Sequence, residues 1–231
     1  MNPRRLVAVN LIRIYRPVAL WFWITMAVCV AIGMTAVTLN VDPTFSLWLL
    51  MVGSAVKWWL GVIGVVLVSM HLRQFVANGI TRHDFLAGAA IFGLLTAVLF
   101  ALAVPVGHGV EQLLMGLGGP LPARYPATSF GTGVRELGHV LPGSVAFLVT
   151  GAAAAAGFYR FGAWGGLALL PVAALPVAAA ESLLGVDEHG GFDVRFVPYT
   201  VALLISLVAI VAGVLLYHRE LRDVAIRPGT A

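Results

Sequence analysis

Phe85-Leu-Ala-Gly-Ala-Ala-Ile-Phe-Gly-Leu-Leu-Thr-Ala-Val-Leu-Phe-Ala-Leu-Ala-Val-Pro-Val106 carries no charged side chain and a single hydroxyl, that of Thr96. A helix needs about 20 consecutive apolar residues to cross the hydrocarbon core of a bilayer, and this run supplies them. Comparable runs occupy Val18–Leu39, Phe45–His71, Pro142–Tyr159, Gly165–Leu184 and Tyr199–Tyr217. The expectation is an all-α polytopic membrane protein with six transmembrane helices, 18–39, 45–71, 85–106, 142–159, 165–184 and 199–217. The 231 residues form one transmembrane domain, 1–231. Composition agrees: 60% of residues are hydrophobic and 10% charged, against about 25% charged in soluble domains. A soluble chain of this length has too little interior to hide so much apolar surface.

The positive charges set an orientation. With the N-terminus inside, Arg4, Arg5, Arg13, Arg16, Arg73, Arg82, Arg160, Arg219, Arg222 and Arg227 face the cytoplasm, and Arg124, Arg135 and Arg195 face outward. Positive residues favour the cytoplasmic side, so both termini are expected there. This distribution also explains the basic balance without nucleic acid as a partner. Residues 1–16 place Val7, Leu11 and Ile14 at helical spacing among arginines, the pattern of a basic amphipathic helix at the membrane surface; a basic flank that only sets orientation is the other reading. Pro17 then marks the turn into span one. A signal peptide is the other use of such a start, but Val18–Leu39 is longer than a signal core and no A-x-A site follows.

The join between spans two and three, residues 72–85, reads Leu72-Arg-Gln-Phe-Val-Ala-Asn-Gly-Ile-Thr-Arg-His-Asp-Phe85. Asn78-Gly79 is a helix stop, because glycine accepts the left-handed conformation at a C-terminus. Thr81-x-x-Asp84 is a helix start, with a hydroxyl for the first amides and a carboxylate for the dipole. Together they make a helical hairpin with a compact basic tip. Gly79-Ile80-Thr81-Arg82 resembles the Gly-hydrophobic-Ser/Thr-Arg element before span three in small six-span permease subunits of ABC-2-type (type V) ABC exporters. Arg73 and Gln74 stand where many members of the family have an upstream Glu.

That resemblance implies a coupling loop at 72–85 that receives motion from a separate ATPase, and an elbow helix at 1–16. It implies two copies of the ABC ATPase subunit and a second permease subunit, identical or related, in a bacterial cytoplasmic membrane. ATP and Mg would then sit in the partner, with no cofactor in this chain. Arg73, Phe75, Gly79, Thr81 and Arg82 are the candidate docking and coupling residues. The cargo expected is hydrophobic or amphiphilic.

Inside the predicted spans, charge is costly and marks either a pair or a path. Lys57 lies within span two beside Trp58 and Trp59, and Glu181 lies toward the outer end of span five. A Lys57–Glu181 pair lining or gating a path is one reading. The other is a lysine snorkelling beside an aromatic belt. Pro171 and Pro176 interrupt span five and predict either a kink or a separate outer helix. Gly107–Leu141 is expected as a long outer segment. The small residues Gly151–Gly157 suit close helix packing, within the subunit first.

Two other function classes stand beside the exporter: a non-transporting assembly or sensor protein, and an intramembrane enzyme. H-E-x-x-H, G-x-S-x-G and GxxxxGK[ST] are all missing from the sequence. Cys29 is alone, so no intrachain disulfide or Cys-based metal motif can form. Arg135, Glu136 and His139 come nearest to a constellation and are expected as a surface cluster.

Overall fold

A computed structural model describes residues 2–39, 44–117, 121–122, 125–185 and 197–222. The described elements are all helical: α1 (Pro3–Thr38), α2 (Leu47–Val66), α3 (Leu72–Ala77), α4 (Arg82–Leu117), α5 (Phe130–Ala173), α6 (Leu175–Leu184) and α7 (Tyr199–Arg222). One π-helical turn, Leu67–His71, joins α2 to α3. Among the described residues, five helical stretches are long and apolar enough to cross a membrane. The fold is that of a membrane-embedded protein.

One of those stretches, Phe130–Leu184, is folded in two. Gly162 leaves the helical region at φ 75°, ψ −168°, where glycine alone is unstrained. The arms return on each other: Gly157 faces Leu169, and Gly166 sits under the ring of Phe158. At the far end, His139 of the first arm reaches the Leu184 carbonyl of α6. The second arm breaks again at Ala174, and α6 starts with Pro176 in its first turn. Proline is tolerated there because its missing N–H would have no partner. Ala174 keeps right-handed helical dihedrals, its N–H bonds to the Leu170 carbonyl and its carbonyl accepts from the Ala178 N–H, so the break is a kink, one of the two expectations for Pro171 and Pro176. Pro176 is buried, its ring against Gly213 of α7.

Three expectations about local structure need correction. Residues 3–38 form one helix through Pro17, with no separate element at 1–16. A proline removes one backbone bond, and membrane helices tolerate it. The stripe Val7, Ala8 and Leu11 is buried, because it docks on α4 instead of lying on a surface. Gly88 makes this possible: an added Cβ there would stand 2.6 Å from Val7 Cβ and 2.7 Å from the Arg4 carbonyl. The segment 107–141 is not a continuous outer loop. α4 runs on to Leu117, and α5 starts at Phe130.

The interior is held by small residues and aromatic rings. α2 and α5 approach to backbone contact, since a Cβ on Gly64 would strike the Leu148 carbonyl and one on Gly151 the Gly61 carbonyl. Such small-residue contacts replace the hydrophobic drive that lipid cannot provide. The glycines predicted for packing within the subunit do pack there. Phe22 stacks on Trp59 at 5.0 Å, and Trp23 lies 5.0 Å from Phe100. Facing outward are Trp21, Leu204 and Val208, each more than 60% exposed. Apolar residues on the outside as well as the inside are what a bilayer solvent requires.

Candidate functional site

Two ends of the helix bundle carry the polar residues. At the first, the π turn and α3 lead into the hairpin tip. The turn closes as a Schellman motif: Ile80 N–H donates to the Phe75 carbonyl at 3.1 Å, and Gly79 N–H to the Val76 carbonyl at 3.0 Å. This satisfies the last carbonyls of α3 and requires a left-handed residue; Gly79 has φ 85°. Thr81 then caps α4. Its Oγ1 accepts from the Asp84 N–H at 3.1 Å, and its hydroxyl donates to Asp84 Oδ2 at 2.7 Å.

The tip is tied to the N-terminal helix. Arg4 Nε donates to Asp84 Oδ1 at 3.1 Å, and another guanidinium nitrogen lies 3.4 Å from His83 Nδ1. Of the five candidate docking residues, Arg73, Gly79 and Thr81 are exposed, and Arg82 is partly so. Phe75 is different. It is half-buried with its ring 5.5 Å from that of Phe85, and so it fastens the tip to the bundle.

The opposite end contains a buried polar layer. The Glu111 carboxylate accepts from the Ser46 hydroxyl, from the Trp48 N–H at 3.1 Å and from the Tyr125 hydroxyl at 2.9 Å. Trp48 Nε1 donates to the Val104 carbonyl at 2.9 Å, its indole lying on the face of Gly107. One turn along α4 from Glu111, His108 Nδ1 lies 2.8 Å from Glu136 Oε1 on α5. One turn along α5 from Glu136, His139 Nδ1 donates to the Leu184 carbonyl at 3.1 Å, and Tyr199 donates from its hydroxyl to the Gly138 carbonyl at 3.0 Å.

Glu136 and His139 are buried, which corrects their expected place in a surface cluster. Glu136 turns inward because its partner is on another helix. Among the described residues, His108 Nε2 and Glu136 Oε2 have no hydrogen-bond partner. Among the described residues no group of three or more His, Cys, Asp or Glu is arranged to hold a metal ion. The layer fastens helices together through the Glu111 and Glu136 carboxylates.

Lys57 and Glu181 meet between these ends. Lys57 Nζ is 2.7 Å from Glu181 Oε1, with the pair resting on the face of Gly143. Of the two readings of Lys57, the ion pair is the one present. Trp58 and Trp59 part company: Trp58 is exposed and packs edge-on against Phe147, whereas Trp59 turns inward onto Phe22.

Sequence reading missed the Ser46–Glu111–Tyr125 and His108–Glu136 contacts. The available signal was a repeated spacing, His108-x-x-Glu111 and Glu136-x-x-His139, which places each His and Glu on one helix face. Comparison of the chain with family models, curated proteins and solved structures finds no match.

Proposed function

We propose that the chain is the membrane subunit of an ATP-driven exporter for a hydrophobic or amphiphilic cargo. It crosses a bacterial cytoplasmic membrane six times with both termini inside, and pairs with a second permease subunit. Two copies of a separate ATPase bind the tips. The observation that carries this reading is the construction of the tip. Two long helices end in a short, closed turn whose backbone is satisfied by the Schellman bonds and the Thr81 cap. Arg4 and Asp84 join that turn to α1. A push on such a tip moves α1, α2 and α4 together, which suits a rigid-body switch between two arrangements.

Charge supports the same reading. Arg82 opens α4, where the helix dipole disfavours a cation. Asp84 offsets this within the turn, and an acidic groove on a partner would offset it further. The π turn at Leu67–His71 lies between the membrane part of α2 and the tip, and π turns commonly mark functional joints. ATP and Mg belong to the partner in this scheme.

The test is affinity purification of the tagged chain in mild detergent, with mass spectrometry and an ATPase assay, beside Arg82→Glu. Co-purification of an ABC ATPase that falls at least tenfold in the variant is the expected result. Recovery of the intact chain with no ATPase, in conditions that preserve membrane complexes, would overturn the proposal and favour a stand-alone membrane protein.

A further inference from the structure

We infer that a groove between α1, α2 and α4 binds one anionic phospholipid from the bilayer, a site independent of the exporter reading. The groove has a volume of about 240 Å³ and is bordered by Tyr15, Arg16, Trp23, Trp59, Phe92 and Leu99. Its wall is almost entirely apolar, and Arg16 is the one charged residue on its border. The site therefore has the two chemistries of a lipid: hydrocarbon along its length and a cation at one end.

The position of that cation matches a headgroup. Arg16 is the last charged residue of α1, and the apolar run starts two residues later at Val18. Arginine at the end of an apolar helix extends to the level of the lipid phosphates. Arg13 precedes Arg16 by three residues on the same helix but borders a different groove, beside Asn10, Gln74 and Phe75. α1 contains no acidic residue to neutralise them, and no hydrogen bond or ion pair engages Arg16 among the described residues. A guanidinium binds a phosphate through two parallel N–H bonds and favours it over a neutral group.

The experiment is native mass spectrometry of the purified chain after equilibration with an equal mixture of phosphatidylglycerol and phosphatidylcholine. Arg16→Gln and Leu99→Trp are measured in parallel, with circular dichroism melts to confirm folding. Leu99 is exposed on the groove, so a larger ring there blocks the space without entering the core. The wild-type chain is expected to retain one phosphatidylglycerol in preference to phosphatidylcholine. Arg16→Gln should weaken that preference about tenfold, because both lipids carry the same phosphodiester and the choice between them rests on the guanidinium charge, which repels the choline ammonium and not the neutral glycerol headgroup, and Leu99→Trp should remove the bound lipid of either kind. Equal retention of the two lipids would overturn the inference, and so would a preference unchanged in both variants.

Discussion

Lys57 Nζ lies 2.7 Å from Glu181 Oε1, joining α2 to α6 across the face of Gly143. The two partners are unequal in their surroundings: Lys57 has 3% of its side chain exposed and Glu181 37%. Removing one member of a buried pair strands the other, so the outcome depends on which is removed. Glu181→Gln leaves an ammonium group without its counter-ion in the interior and is expected to cost about 3 kcal/mol. Lys57→Met leaves a carboxylate that is only partly enclosed by the protein and is expected to cost less, about 1 kcal/mol. Thermal melts in detergent should rank Glu181→Gln below Lys57→Met, and Lys57→Met should rescue Glu181→Gln in the double variant. The reverse ranking would mean that the pair does not set the energetics of this contact.

Glycines separate into those that hold helices together and those that do not. Gly64 and Gly151 sit where α2 and α5 touch backbone to backbone, whereas Gly53 and Gly109 have open space where a Cβ would go. Alanine at Gly64 or Gly151 must push the helices apart and is expected to cost about 3 kcal/mol or more, at the upper end of overpacking effects. Alanine at Gly53 or Gly109 should stabilise by about 0.5–1 kcal/mol, because glycine is the poorer helix former. Detergent melts of the four variants check the division.

Glu111 accepts from Ser46, Trp48 and Tyr125 at once. Glu111→Ala would orphan all three donors and is expected to cost about 3 kcal/mol, since each buried donor left unmet has its own desolvation penalty. Glu111→Gln retains one acceptor oxygen and should cost less than half as much. Trp48 shares the cluster, so its fluorescence should shift to the red in Glu111→Ala as water enters. A Glu111→Ala chain with wild-type melting and unchanged emission would contradict the role assigned to this carboxylate.

The elements that could be read in the sequence were those fixed by local chemistry. Apolar length gave the membrane helices, and Asn78-Gly79 followed by Thr81-x-x-Asp84 gave the hairpin. The glycine required at φ 85° and the Thr81 cap are both present. The polar layer was not readable in the same way. Glu111, Glu136 and the nearby glycines and prolines mimic a loop in a hydropathy profile, so helix three seemed to end early and helix four to start late. Their carboxylates meet groups far away in sequence, such as His108 at one oxygen of Glu136, and only the packing of α4 on α5 reveals that. Pro17 was misread for a related reason. A proline signals a turn when judged locally, but the docking of Val7 and Leu11 on α4 keeps α1 continuous.

Gly79 offers a narrower test of the tip. Its backbone is left-handed and nothing crowds its open side, so any effect of substitution is conformational. Gly79→Ala is expected to cost about 1 kcal/mol locally, and Gly79→Asn less, because asparagine accepts this region more readily. Limited proteolysis should cut the Gly79→Ala tip faster than the wild-type tip with global melting little changed. Equal cutting rates would show that the turn does not depend on its glycine.

The exporter reading places the ATPase at one end of the bundle, and site-specific photo-crosslinking tests that placement most directly. A photoreactive residue is introduced in cells at Thr81, on the tip, and in a second strain at Leu113, exposed near the opposite end. The expected result is a crosslinked adduct from Thr81 that contains an ABC ATPase, and none containing it from Leu113. Absence of an ATPase adduct from Thr81, with the chain correctly inserted and expressed, would contradict the central claim, as would equal capture from both ends.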